Sequence, residues 1–438
     1  MHTKRVLNLM LVASVLVLGI SAMAVAQAKR ELIVIGHRVH LQSATAEEAG
    51  AMGINLIDKF EKMHPNVKVV YQTYPNPKTQ EKLYRLGPLS NVEEDIVHVL
   101  NTWAVPRVAD FLEPLDSYIE KNPLEDFPED YPEGLLEVSR IKGSIYAIPV
   151  RVCYAGIQWI NMKIMREIGV EYQPQLTPQE FYDIAKKGTF TRPTGEKVFG
   201  YNWRGTVGSL YEPFNRWTTW HGGKLITNDL EVAVNKPAAV KGLTYLQKFY
   251  QEGIAPPDVH TFDYAEETKM FMENRLLFYN GNTSYGKTFN DPTKSKIAGY
   301  AVMTRKQFPR ELQDREPYGI GHTTFWSMGV FKGSQKKDLA WEYIRLLTSK
   351  EGALSMGLSG TTPARISILG GPEYQQNNPA AQIEKLVAPY VEPAWAPFEN
   401  AEEAIDLIGA YCQDVIYKGT SVQEQMNQLA RELEALMP

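Results

Sequence analysis

The sequence predicts an α/β protein of two domains built on mainly parallel sheet. Three observations carry that prediction. Apolar runs of strand length alternate with segments of helical period. The 438 residues exceed the ~250–300 at which a single core usually divides. The two cysteines, Cys153 and Cys412, lie far apart, and a chain of this size has no need of a disulfide staple; both are expected to be free and buried.

The first element is a leader. Lys4 and Arg5 precede an apolar run over residues 9–20 that closes on Ala24-Val25-Ala26-Gln27-Ala28, which is the layout of a cleavable secretory signal over residues 1–28. About a dozen apolar residues fall short of the roughly 20 that a spanning helix needs. No cysteine stands at the cleavage site to receive a lipid, so an exported, free periplasmic protein is expected. Loss of Lys4 and Arg5 takes the formal net charge from -5 to -7, which argues against nucleic acid or an anionic membrane as the main partner.

After the leader, residues 32–36 form a short apolar strand that ends in a polar loop at His37-Arg38-Val39-His40. Met52, Leu56 and Phe60 recur at helical spacing, Pro65 ends that helix, and residues 67–71 resume as a strand. Residues 95–100 are another buried strand, leading into Asn101-Thr102-Trp103. Residues 145–150 and 154–161 are extended, with Trp159 assigned to the core and a crossover between domains expected nearby. Thr177-Pro178-Gln179-Glu180 is a helix start, with Thr177 as cap and Glu180 able to reach back. Residues 338–347 form a helix that buries Trp341. The last helix begins at Ser421, and Val422, Met426, Leu429, Leu433 and Leu436 make its apolar stripe.

Catalytic patterns are sparse. Asn282-Thr283-Ser284-Tyr285-Gly286 lacks the first glycine of a nucleophile elbow. His37 and His40 have no third metal ligand near them in sequence. The acidic stretch 125–133, flanked and broken by Pro123, Pro128 and Pro132, reads as an exposed surface turn. No cofactor or metal is expected. A secreted polysaccharide hydrolase or lyase is the reading from another class, since facing carboxylates are invisible in a linear sequence.

Aromatic and hydrogen-bonding residues are concentrated in polar segments: Thr102-Trp103, Tyr201-Asn202-Trp203-Arg204, Trp217, Trp220-His221, Tyr279-Asn280-Gly281-Asn282 and Phe325-Trp326. A pyranose offers C–H faces to aromatic rings and hydroxyls to amide, guanidinium and imidazole groups, so this mixture suits sugars. Trp103, Trp203, Trp220 and Trp326 stand beside glycine or polar residues and are the stacking candidates.

The order of segments resembles the family-one extracellular solute-binding proteins of carbohydrate ABC transporters, the maltose-binding type. The likeness is carried by residues 54–69 with His64-Pro65-Asn66, by Glu94-Asp95-Ile96-Val97, and by Phe111-Leu112-Glu113-Pro114-Leu115-Asp116. It continues through Gly143-Ser144-Ile145-Tyr146-Ala147-Ile148-Pro149 followed by Trp159-Ile160-Asn161, where the family usually ends in Tyr-Asn. Residues 271–282 match with Asn274-Arg275 in place of the customary glycine, and the series closes with the helix and turn of residues 334–352 and with Gly360-Thr361-Thr362-Pro363-Ala364-Arg365.

That resemblance implies a two-lobed periplasmic-binding-protein fold with discontinuous, hinge-connected α/β domains. One lobe would hold residues 29–150 and 304–356, the other 151–303 and 357–438. It implies capture of a sugar or oligosaccharide between the lobes by hinge closure, delivery to membrane permease subunits, no chemistry on the solute, and a monomer. Carried over residue by residue, the cleft would take His37 and Arg38 from the first loop, Asn101, Thr102 and Trp103 after the third strand, and Arg151 and Tyr154 from the hinge. It would also take Asn280 and Asn282 from the Asn-Gly passage, Trp326 from the segment where relatives read Gly-Gly, and Arg365 from the Pro-x-Arg turn. Trp203 and Trp220 are added for the second lobe from their composition alone. Arg38, Arg151, Arg204 and Arg365 together raise an acidic solute, such as a uronate-containing saccharide or a glycerol phosphate, as the runner-up; pairing of these arginines with side chains such as Glu212 is the plainer alternative.

Overall fold

The computed structural model describes residues 29–46, 53–100, 106–154, 158–281, 283–304, 323–391 and 394–438. The leader and the expected site residues Asn101, Thr102, Trp103 and Asn282 lie outside them.

Two five-stranded sheets form the centres of two lobes. The first contains β1 (Arg30–Gly36), β2 (Val67–Thr73), β3 (Glu94–Leu100), β6 (Ile148–Tyr154) and β12 (Thr323–Val330) in the order β2-β1-β3-β12-β6. The second contains β7 (Gln158–Asn161), β8 (Phe190–Thr191), β9 (Lys197–Tyr201), β10 (Leu276–Tyr279) and β11 (Ala301–Thr304) in the order β11-β7-β10-β9-β8. A ribbon of β4 (Arg140–Ile141) and β5 (Ser144–Ile145) stands apart.

The sheets are mixed where the sequence predicts mainly parallel pairing. β1 lies parallel to β2 and β3, and β10 parallel to β9. Strands next to the lobe crossings run the other way: β12 is antiparallel to β3 and β6, and β7 to β10 and β11. A chain that leaves one sheet for the other and later returns arrives reversed, and that sets the direction of β12. A further crossing follows, where Pro363 bridges to Arg151 of β6 and Trp395 later packs on Tyr211 of the second lobe.

Local signals account for the elements. Continuous apolar runs give β1 and β3 their buried centres. The helix Leu56–Met63 starts on Asn55, whose side chain accepts from the Asp58 amide at 2.9 Å, and buries Leu56, Ile57 and Phe60. The helix Pro178–Lys187 has the reciprocal cap of Thr177 and Glu180. Ser421 precedes the helix Val422–Glu434 without a side-chain cap, and that helix is held by buried Met426, Leu429 and Leu433. Trp159 and Trp341 are buried, as are Cys153 and Cys412.

Two segments differ from the sequence reading. His37-Arg38-Val39-His40, read as a loop, opens the helix Arg38–Thr45. Its cap is built from imidazoles: His37 Nδ1 accepts from the Val39 amide at 3.3 Å, and His40 Nδ1 accepts from the His37 amide at 3.2 Å. The stretch 125–133 is no simple surface turn either. Asp130 is buried, and its carboxylate meets the Arg365 guanidinium at 2.6 Å.

Candidate functional site

A cavity of about 400 Å³ lies between the lobes, within the range of small-molecule sites. From the first lobe come His37, Ser43, Asn76, Arg151, Cys153 and Trp326; from the second come Tyr264, Tyr285 and Thr288. Ser359, Gly360 and Thr361 line it from the C-terminal crossing, and there Gly360 holds φ at +94°, a conformation that glycine accepts without steric penalty. A smaller cavity of about 30 Å³ adjoins it, sharing Cys153, Tyr264 and Trp326 and reaching Trp203, Arg204, Glu212, Arg216, Glu267 and Asn280.

The first-lobe wall is set by strand register. Trp326 of β12 pairs with Arg151 of β6, and the Arg151 guanidinium lies 4.4 Å from the Trp326 ring centroid. Trp326 donates to Asn76 at 3.4 Å and meets His40 edge-on at 5.9 Å. Behind it, His40 and His98 stack at 3.9 Å with an interplanar angle of 15°. His40 accepts at Nδ1, so its ring proton sits on Nε2. Among the described residues neither that nitrogen nor either nitrogen of His98 has a hydrogen-bond partner. Burial first, then the Arg151 charge, lowers the His98 pKa to about 3; burial and its charged neighbours hold His40 well below the usual range. The exposed edge of the group is His37, lowered by burial and by Arg151.

The second-lobe wall carries more charge. Arg204 is ion-paired with Glu212 and lies 3.9 Å over the Tyr264 ring. Arg216 is buried and donates to the Asn280 carbonyl, and Asn280 donates to Tyr201 at 2.6 Å. Glu267 is buried; desolvation raises its pKa to about 7 against the opposing pull of Arg204 and Arg216.

Among the residues singled out from sequence, His37, Arg151, Trp203, Asn280 and Trp326 line the two cavities. Arg38 is exposed and lines neither. Tyr154 is fully buried, and its hydroxyl has no hydrogen-bond partner among the described residues. Trp203 is 1% exposed, its Nε1 donating to Tyr417 at 3.1 Å, and Trp220 is packed in the lobe core against Phe181 and Trp217. Arg365 is buried in a separate knot: besides Asp130, it donates to the carbonyls of Thr348 and Glu125, each at 2.6 Å. Of the four arginines near the expected cleft, Arg204 and Arg365 are therefore committed to carboxylates. Sequence reading missed Tyr264, Tyr285, Arg216 and Glu267. Tyr264 is 39% exposed and presents more open aromatic surface to the cleft than Trp326 at 7%; its only sequence signal is its place at a capped helix start after Asp263.

Among the described residues no three His, Cys, Asp or Glu side chains are grouped to hold a metal ion, and no helix is long and apolar enough to cross a membrane.

The chain is similar in structure to several solved proteins. Maltose-bound T. maritima MalE3 matches with a TM-score of 0.76 at 19% identity, covering 93% of this chain and all of that one. A solute-binding protein of Thermotoga lettingae with α-D-tagatose bound gives 0.77 at 20% identity, covering 94% and 100%. One from Agrobacterium radiobacter with ribitol gives 0.76 at 18%, also covering 94% and 100%. In sequence, a probable amino-acid ABC transporter periplasmic-binding protein of Sinorhizobium fredii is 24% identical over 324 residues, 70% of this chain and 68% of that protein. The family model for bacterial extracellular solute-binding proteins matches residues 45–354. With that match over most of its length and the two-lobed α/β architecture around an interlobe cleft, the chain belongs to the bacterial extracellular solute-binding protein family.

Proposed function

We propose that the protein is the periplasmic solute-binding component of an ABC importer, that it captures a sugar, oligosaccharide or polyol in the interlobe cleft, and that it hands the solute unchanged to permease subunits. The observation that carries this reading is the lining of the 400 Å³ cavity, which mixes aromatic rings with hydroxyl, amide and imidazole groups from both lobes. Tyr264 and Tyr285 offer ring surface for C–H faces, while Asn76, Gln42 and Thr288 can exchange hydrogen bonds with hydroxyls. Sugar and polyol ligands named for the structural neighbours support the same class. In this reading residues 1–28 direct export and are removed.

A thermal-shift screen of residues 29–438 against saccharides, polyols, amino acids and polyamines tests it. A ligand of the folded state at a hundred times its Kd stabilises by about 2.7 kcal/mol, a clear rise in Tm. Tyr264→Ala is expected to weaken saccharide binding about tenfold, the loss of roughly 1.4 kcal/mol of stacking. A rise with amino acids alone would overturn the saccharide assignment. Cleavage of a bound saccharide on long incubation would point to the hydrolase instead, with Glu267 and Glu212 as its carboxylates.

A further inference from the structure

The cleft holds a cation that no described residue balances. Among the described residues Arg151 forms no ion pair, and its buried Nε has no hydrogen-bond partner. Among the described residues no aspartate or glutamate lines the 400 Å³ cavity into which it faces. The two carboxylates of the neighbouring cavity are engaged elsewhere: Glu212 by Arg204, and Glu267 in the field of Arg204 and Arg216. The Trp326 ring behind Arg151 fixes the guanidinium plane without neutralising it. The three histidines nearby add no charge, because His40 and His98 are buried in a stack and His37 shares the same repulsion from Arg151.

We infer that Arg151 is the receptor for a single negative charge on the solute, so that the ligand is a carboxylate-bearing sugar, a hexuronate or a saccharide containing one. This rests on the proposed capture of saccharides and narrows it. A half-buried guanidinium whose Nε is shut off from water gains most from a partner of opposite charge, and its planar fork matches a carboxylate. One uncompensated cation flanked by neutral imidazoles matches a monoanion. A dianionic phosphate ester would leave a second charge without a partner. Tyr264 and Tyr285 line the cavity from the other lobe, where they can cover the ring while Arg151 holds its carboxylate.

Isothermal titration of the mature protein with glucuronate, galacturonate and their disaccharides, beside the matching neutral sugars, hexose 6-phosphates and glutamate, decides the point. The expected result is a hexuronate ligand bound at least tenfold more tightly than its neutral congener, with the advantage shrinking as salt rises. Arg151→Gln should bring the acid down to the level of the neutral sugar, and Arg151→Lys should restore part of the preference. Equal or tighter binding of the neutral congener by the wild-type protein would overturn the inference while leaving saccharide capture standing, and needs no variant to fold. Tighter binding of the hexose phosphates would overturn the monoanion assignment. Binding of glutamate with no saccharide, acidic or neutral, would remove both this inference and the reading beneath it.

Discussion

At the scale of single residues, the His40–His98 stack behind Trp326 couples packing to protonation. In the unfolded chain both imidazoles take up protons below about pH 6.5, whereas folded His98 resists until about 3 and His40 is also held low. The unfolded state then binds more protons, so stability falls as pH drops through that window, by about 1.4 kcal/mol per pH unit for each excluded imidazole. Urea titrations at pH 7, 6 and 5 should show this decline, and His98→Phe should make it shallower by the share of one imidazole; an identical slope in the variant would mean that His98 is not excluded from protonation. The cap made by His37 and His40 was illegible in sequence, because Arg38-Val39-His40 carries no apolar period and imidazole is a rare cap. Trp203 and Trp220 were ambiguous for a different reason. Polar neighbours in sequence fit either a cleft edge or a packed ring, and Tyr417 and Phe181, distant in sequence, decide for packing. Trp203→Ala should therefore cost about 3–5 kcal/mol of stability, read by denaturation, and any loss of binding in that variant has to be separated from unfolding.

Among the elements, the short helix Ile366–Leu369 is held by side chains more than by its own four residues. Arg365 just before it grips Asp130, and Asp130 in turn accepts from the Ser367 amide and hydroxyl, each at 2.7 Å. Removing the cation strands a buried carboxylate, so Arg365→Ala should lower the unfolding free energy by about 3–5 kcal/mol. Ligand affinity of the protein that remains folded should stay within twofold, roughly; a large drop in affinity with unchanged stability would put Arg365 in the site after all. Elements of this kind mark the limit of sequence reading. β1, β2, β3 and the helix Pro178–Lys187 were legible because their period, caps and terminators are local. The antiparallel direction of β12 and the knot at Asp130 depend on partners more than a hundred residues away, and no local pattern records them.

For the whole molecule, the cleft walls come from separate lobes, so a solute that touches both favours their approach. Small-angle scattering should register a smaller radius of gyration when a binding saccharide is added, and an unchanged radius at saturation would show that capture needs no closure. The interleaving of the sheets has another consequence, one of timing. β12 lies between β3 and β6 in the first sheet, yet it is made long after either, at residues 323–330. Until it leaves the ribosome, β3 keeps an open edge and β6 has no neighbour in that sheet. The strands of the second sheet, by contrast, all come from residues 158–304. The first sheet therefore closes only after most of the chain has been made, and until then its two halves wait as unpaired edges that have to be kept from other partners.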